Sequence, residues 1–305
     1  MLLKFIFTFF VSVMVSSAAF SADNTQTIRF AGTARTFSIH VPNGSAPKGG
    51  FPVILAFHGG GMQGAGMKRV SGLDGAADRK HFIVIYPDGL DKHWNDGRST
   101  IRNPHDDVGF VAALLDLVEK NYPVNKNKVF ATGLSNGALF AQRLGCDLSQ
   151  RIAAIAPVAG TLPAEMIRSC RPRHAVAVMQ ISGTADPIMP YDGGLVQDFG
   201  GRGEGGQVAS VASTADFWAA NNGCGSKLAP SRLPPVARLD PTRIVRTDYR
   251  GCPLAGKVTV LSVMRGGHVW PGSTQTGLRF VTGRPSRQLN ATDVITDFFL
   301  SLPQR

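Results

Sequence analysis

Several kinds of site have no support in this sequence. It contains only four cysteines, none in a Cys-x-x-Cys pair and none clustered with histidine. Zinc sites usually combine such pairs with histidine, so we expect no metal site. The glycine-rich stretch at residues 200–206 is not followed by the Lys-Ser/Thr of a phosphate-binding loop. The sequence therefore predicts neither a metal nor an organic cofactor.

Linkers and repeats are also missing. No stretch rich in Ser, Thr or Pro divides the chain, and it has no internal repeat and no low-complexity tail. Such segments usually connect separate modules, so their absence argues against an additional polymer-binding domain. A chain of 305 residues with 43% hydrophobic content can bury one large core. We therefore expect a single domain over residues 22–305.

Residues 1–21 have the pattern of a signal peptide. Lys4 precedes an apolar core at residues 5–15, and Ala19 and Ser21 place small side chains where signal peptidase reads them. The apolar core is shorter than the roughly 20 residues that a membrane-spanning helix needs. The sequence predicts an exported protein, secreted or periplasmic, without a stable membrane anchor.

Positive charge is in excess but is not concentrated. The formal net charge is +11, yet lysine and arginine are scattered and no nucleic-acid-binding motif accompanies them. This pattern indicates a solvated basic surface and no nucleic-acid partner. Such a surface favours adsorption to anionic polysaccharide at low ionic strength.

Export would allow the cysteines to form disulfides. Four cysteines can pair in three ways, and the residues alone do not choose among them. Pairing nearest neighbours in sequence would close two local loops, each worth about 3 kcal/mol in the chain-entropy model.

Alternating strand and helix patterns predict an α/β fold. Residues 108–120 have the spacing of an amphipathic helix, with Asp106 and Asp107 where an N-cap and a first-turn acid belong. Apolar strand patterns occur at residues 51–57, 82–86, 127–132, 152–158, 174–181 and 257–264. This alternation is typical of a mainly parallel sheet with helices on both faces.

The most informative motif is Gly-Leu-Ser-Asn-Gly at residues 133–137. It follows a strand pattern and opens a helical pattern at residues 136–144. On such a turn the serine takes a strained conformation, and the two glycines avoid collisions with the neighbouring strand and helix. The motif predicts that Ser135 is a nucleophile facing a cleft.

A serine nucleophile needs a histidine base, and the base needs a carboxylate that fixes its tautomer. Only His174 and His268 follow Ser135 in the chain. His174 opens an apolar strand pattern, whereas His268 lies in a loop after the strand at 257–264. Catalytic groups of open α/β sheets are found at that edge, so we predict His268 as the general base.

Asp186 is the predicted acid of this triad. It follows the strand pattern at 174–181, and it stands between Ser135 and His268 in the order typical of α/β-hydrolases. Asp198, which borders a glycine-rich loop, and Asp216, in a predicted helix, are the reserve candidates.

A His-Gly-Gly-Gly segment at residues 58–61 follows the strand at 51–57. Glycine lets a backbone approach the substrate closely, so the N–H groups of such a segment can face a developing oxyanion. We predict Gly60 and Asn136 as the two donors of an oxyanion hole. His58 is expected to brace this loop by hydrogen bonds.

Two tryptophans are candidate substrate-binding residues. Trp94 lies in the loop at 93–97, and Trp270 is close to His268. An indole at this edge could stack on a phenolic acyl group or a sugar ring. Trp94 is equally compatible with a role as a partly buried anchor of its loop, and Trp218 is expected in the core.

Three segments together resemble a known family. Residues 133–137, 183–191 and 266–272 are similar to those of secreted polyhydroxybutyrate depolymerases and feruloyl or acetylxylan esterases, and the likeness runs from residue 35 to residue 299. One departure is Ser182, where such proteins often have histidine. The resemblance implies the α/β-hydrolase fold and the roles proposed above. It also implies the disulfides Cys146–Cys170 and Cys224–Cys252.

The resemblance implies hydrolysis of a carboxylic ester by two-step acyl transfer without a cofactor. The first expectation is a polyester hydrolase like the polyhydroxybutyrate depolymerases, acting on a polymer or oligomer. The second is a feruloyl or acetylxylan esterase acting on plant polysaccharide esters. The residues alone leave a third class open, a non-catalytic binding protein in which the three side chains do not meet. The oligomeric state is not encoded in any pattern.

Overall fold

The structure is a computed structural model that describes residues 25–197 and 204–304. The predicted signal peptide at 1–21 and the reserve acid Asp198 lie outside the described residues. The first four positions of the glycine-rich stretch at 200–206 also lie outside them.

Strands and helices alternate along most of the described chain. The strands are β1 (Thr25–Phe30), β2 (Thr33–His40), β3 (Phe51–Phe57), β4 (Ile83–Pro87), β5 (Val124–Leu134), β6 (Ala154–Val158), β7 (Ala177–Gly183), β8 (Gly194–Leu195), β9 (Gln207–Val208), β10 (Ser231–Arg232), β11 (Arg243–Asp248) and β12 (Val258–Met264). The helices are α1 (Gly64–Ser71), α2 (Leu73–Lys80), α3 (Asp107–Asn121), α4 (Asn136–Asp147), α5 (Met166–Ser169), α6 (Val211–Asn221), α7 (Arg279–Thr282) and α8 (Ala291–Ser301).

Among the described residues, one sheet has the strand order β1-β2-β4-β3-β5-β6-β7-β12-β11-β10, and β8 pairs separately with β9. The six central strands, β4, β3, β5, β6, β7 and β12 in sheet order, are parallel to one another. The strands at both edges are antiparallel. The predicted mainly parallel sheet is confirmed.

The sheet separates two hydrophobic cores. Every residue of β3 is buried, and its side chains alternate, with Leu55 and Phe57 in one core and Ile54 and Ala56 in the other. Burial on both faces explains why β3 reads as a continuous apolar run. The first core also takes side chains from α3, α4 and α6, and the second takes them from α1, α2 and α8. Helices therefore cover both faces, as predicted.

Two adjacent acids begin α3 and have different roles. Asp106 is the N-cap, and its side chain accepts a hydrogen bond of 2.8 Å from the backbone N–H of Gly109, as the sequence predicts. Asp107 is buried and forms a 2.7 Å ion pair with Arg35 from β2. The sequence did not indicate this pair. It fastens α3 to the sheet.

Both disulfides implied by the family resemblance are present. Cys146, in the last turn of α4, is bonded to Cys170, which follows α5. Cys224, which follows α6, is bonded to Cys252. Within residues 25–197 and 204–304, none of the helices has the length and apolar character needed to cross a bilayer.

Candidate active site

Ser135 occupies the turn between β5 and α4. Its backbone has φ 57° and ψ −123°, a strained conformation for a residue with a side chain. A Cβ on Gly137 would overlap the carbonyl oxygen of Phe57, and a Cβ on Gly133 would overlap that of Gly137. The turn therefore requires both glycines of the motif, as the sequence predicts.

Asp186 and His268 form a buried hydrogen-bonded pair. Nδ1 of His268 lies 2.8 Å from Oδ2 of Asp186, and the two side chains are 8% and 2% exposed. The backbone N–H groups of Ile188 and Met189 each donate to Oδ1 of Asp186 at 2.8 Å. An ionised carboxylate only accepts hydrogen bonds, so Nδ1 of His268 carries a proton. In the neutral ring, Nε2 therefore carries no proton and can accept one as a base.

Ser135 and His268 line the same cavity, which has a volume of about 630 Å³. Its wall includes the two residues predicted as oxyanion donors, Gly60 and Asn136. Many other lining side chains are apolar and include Met62, Leu134, Ile188, Met189, Val269 and Trp270. The predicted nucleophile, base and oxyanion donors are thus brought to one cleft, with Asp186 bonded to the histidine of this wall.

The loop at 58–61 packs directly against the turn that holds Ser135. A Cβ on Gly59 would lie 3.5 Å from Cβ of Ser135. The backbone N–H groups of Gly60 and Asn136 donate to no other group in the part of the chain that the structure describes. They are consequently available to an oxygen atom bound in the cavity.

His58 braces this loop from inside the protein. Its Nδ1 donates to the carbonyl oxygen of Gly59 at 2.8 Å, and its Nε2 accepts from the backbone N–H of Gly89 at 2.9 Å. Burial lowers the pKa of His58 from 6.5 to about 4, so the ring is neutral at pH 7. These contacts agree with the bracing role predicted for it.

The prediction that Trp94 binds substrate is wrong. The indole is fully buried, stacks on Phe140 with ring centroids 5.0 Å apart, and meets the edge of Phe57 at 5.1 Å. Its N–H donates to the carbonyl oxygen of His58. Because the core encloses it completely, Trp94 has no face left for a ligand and serves as the anchor of its loop.

Trp270 lines the cavity, and its predicted contact with the substrate stays a prediction. The side chain is 2% exposed and donates its indole N–H to Oγ1 of Thr292 in α8 at 3.0 Å. The reserve acid Asp216 accepts a hydrogen bond from the Tyr249 hydroxyl. Ser182, the departure from the family pattern, accepts one of 2.8 Å from the Gln180 amide.

A buried ion pair near the site was not predicted. Asp96 and Arg98 pair at 2.7 Å with almost no exposure. Nδ2 of Asn136 donates to Asp96 at 2.7 Å and to the carbonyl oxygen of Trp94, and Oδ1 of Asn136 accepts from the Trp94 N–H. This network fastens the loop after β4 to the residue that follows Ser135. No motif marked it, because loop carboxylates commonly face solvent.

The chain is similar to known esterases. A family model named Esterase, described as "Putative esterase", matches residues 29–164. "Putative esterase NocK" from Nocardia uniformis subsp. tsuyamanensis is 30% identical over 290 residues, which cover 92% of this chain and 84% of that protein.

Two similar proteins carry names that state an activity. Feruloyl esterase C from Emericella nidulans is 27% identical, and the match covers 72% of this chain and 71% of that protein. Feruloyl esterase B from Piromyces equi is 26% identical over 81% of this chain, but the match covers only 45% of that longer protein.

One solved structure matches over nearly its whole length. Acetyl xylan esterase from Aspergillus awamori superimposes with a TM-score of 0.63 at 15% identity, covering 91% of this chain and 99% of that one. At such low identity the likeness concerns the fold alone. It agrees with the predicted α/β-hydrolase fold.

Proposed function

Because the chain belongs to the esterase family of α/β-hydrolases and is a carboxylic ester hydrolase, we propose that it cleaves acyl esters of plant polysaccharides through Ser135, His268 and Asp186. The observation that carries this proposal is the buried Asp186–His268 pair on a cavity that Ser135 also lines. Family membership argues against the non-catalytic binding protein considered from the sequence.

The mechanism follows from the hydrogen bonds of the site. Ser135 attacks the ester carbonyl while Nε2 of His268 takes its proton, and Asp186 stabilises the resulting imidazolium. The N–H groups of Gly60 and Asn136 hold the oxyanion, and losing one such donor typically costs about 3 kcal/mol of barrier. His268 then protonates the leaving alcohol, and water repeats the sequence to release the acid. Each step uses only groups of this chain and water.

The substrate class rests on the relatives and on the cavity. The names of the similar proteins refer to feruloyl and acetyl xylan esters, which favours a polysaccharide ester over polyhydroxybutyrate, the first expectation from the sequence. A cavity of about 630 Å³ is within the usual range for small-molecule sites. Apolar walls suit an acyl group, and the polar lining residues His93, Gln197 and Glu204 suit the attached sugar.

Covalent labelling tests the catalytic roles. A fluorophosphonate should modify Ser135 in the wild type, and Ser135→Ala should remain unlabelled. Asp186→Asn keeps Ser135 but favours the wrong tautomer of His268. This variant should therefore react slowly with the label, and its kcat should be about 10⁴-fold lower than that of the wild type. Mass spectrometry of the labelled peptide gives the readout, and an unlabelled wild type would refute the catalytic assignment.

A substrate panel tests the polysaccharide assignment. We expect kcat/KM for a feruloyl sugar ester or for acetylated xylan to exceed that for a hydroxybutyrate oligomer. A preference for the oligomer would instead restore the polyester expectation.

We also infer that the protein is exported. Two disulfides support this inference, since structural disulfides form and persist mainly in oxidising compartments. The mature protein recovered outside the cytoplasm should begin at Ala22, and N-terminal sequencing would detect an uncleaved start at Met1.

A further inference from the structure

His93 lines the active-site cavity but has no part in the mechanism above. It directly precedes the buried Trp94 and is itself half-buried. A Cβ on Gly60 would lie 2.9 Å from Nε2 of His93 and 3.2 Å from its Cδ2. One edge of the imidazole therefore lies against the glycine whose N–H faces the oxyanion.

The orientation of this ring is fixed. Nδ1 of His93 lies 3.0 Å from the carbonyl oxygen of Asp91. A carbonyl only accepts hydrogen bonds, so Nδ1 carries the proton, and Nε2 of the neutral ring is an acceptor. Among residues 25–197 and 204–304, Nε2 has no hydrogen-bond partner.

A strained turn holds His93 in place. Asp91 and Lys92 both have left-handed backbones, with φ of 52° and 60°. The Lys92 carbonyl accepts a 2.9 Å hydrogen bond from the backbone N–H of Gly61. This bond connects the turn to the loop at 58–61, which includes Gly60. Strain of this kind clusters at functional sites.

Building on the proposed function, we propose that Nε2 of His93 accepts a hydrogen bond from a free sugar hydroxyl beside the esterified oxygen. With the carbonyl oxygen at the Gly60 N–H, a group lying against Gly60 is close to the ester bond. An acetyl group has no hydroxyl, and the phenol of a feruloyl group is at the far end of the acyl chain. The hydroxyl within reach therefore belongs to the sugar.

This contact would make His93 a specificity-determining residue. A hydroxybutyrate polyester carries no free hydroxyl beside its internal ester bonds, so it would leave Nε2 of His93 unpaired when it occupies the cavity. A site built to pair with a hydroxyl discriminates against substrates that lack one. His93 thus favours sugar esters over polyesters.

Two matched substrates test this contact. One is a methyl xyloside acetylated beside a free hydroxyl, and the other is its analogue with hydrogen in place of that hydroxyl. In the wild type, kcat/KM should be about tenfold higher for the first, the value of one neutral hydrogen bond. In His93→Ala this ratio should fall to about one. In His93→Gln, whose amide oxygen also accepts, part of the preference should return.

The control variant is His174→Ala. His174 is exposed, precedes β7, and is not among the residues that line the cavity. This variant should keep the wild-type ratio.

Three results would overturn the proposal. The first is an equal rate for both xylosides in the wild type. The second is a His93→Ala variant with wild-type rates on both xylosides. The third is a His93→Ala variant that loses the same factor on both, which would mean that His93 acts on the shared carbonyl. Wild-type hydrolysis of nitrophenyl acetate separates these results from failure of the proposed function, because that ester needs the triad but has no sugar. A wild type inactive on nitrophenyl acetate would refute the triad itself.

Discussion

His58 shows how burial sets the charge of one side chain near the site. Its ring donates to Gly59 and accepts from Gly89, and only the neutral form can make both bonds. Burial lowers its pKa from 6.5 to about 4. Between these two values the unfolded chain binds a proton at His58 and the folded chain does not. By linkage, stability must fall as pH falls through this window.

We therefore expect His58 to destabilise the folded protein in mild acid. The full effect, reached below pH 4, is about 3 kcal/mol at 1.36 kcal/mol per pKa unit. His58→Gln does not titrate there, so the stability difference between wild type and variant should change by about 2 kcal/mol between pH 7 and pH 4.5. Urea unfolding at both pH values measures it. A difference that stays constant with pH would contradict this linkage.

Adjacent residues after β4 show what the sequence could not specify. The pattern located the loop at 93–97 at the active edge of the sheet, and this placement was correct. It left Trp94 open as a ligand contact or as an anchor of the loop, and it did not single out His93. In the structure Trp94 faces the core and His93 faces the cavity. Side-chain direction in a loop depends on the packing of Phe57 and Phe140, which lie far away in the sequence.

The turn from β5 to α4 is the element that the sequence specified best. Its glycines are required by atoms nearby in space, and Ser135 takes the strained conformation that the motif implies. Strand ends were predicted less well. The pattern placed the strand at 174–181, whereas β7 is Ala177–Gly183, because pairing with β6 and β12 decides where it begins.

Gly137→Ala should disrupt this turn. Its Cβ would meet the carbonyl oxygens of Phe57 and His58, and backbone atoms cannot move aside cheaply. We expect a loss of about 3 kcal/mol or more in unfolding free energy, together with reduced esterase activity. The matched control is Gly75→Ala in α2, where a Cβ meets only the end of Arg79.

Gly75→Ala should be more stable than the wild type by roughly 0.5–1 kcal/mol, since alanine favours a helix more than glycine does. Urea midpoints for both variants provide the comparison. Equal midpoints for the two would show that the turn tolerates a side chain at position 137.

At the scale of the whole molecule, sheet topology brings the site together. Asp186 follows β7 and His268 follows β12, and these strands are parallel neighbours, so both residues emerge at the same edge. The alternating pattern made this convergence predictable. The buried pairs Arg35–Asp107 and Asp96–Arg98 were not predictable, because no local pattern distinguishes a buried carboxylate from an exposed one.

The Cys146–Cys170 bond joins the far end of the helix that begins after Ser135 to a segment beyond β6. Ser135 thus precedes one end of α4, and the other end of this helix is held by a covalent bond. The same chain folded in a reducing compartment would lack this disulfide. We therefore expect the position of α4 to depend on the redox conditions under which the chain folds.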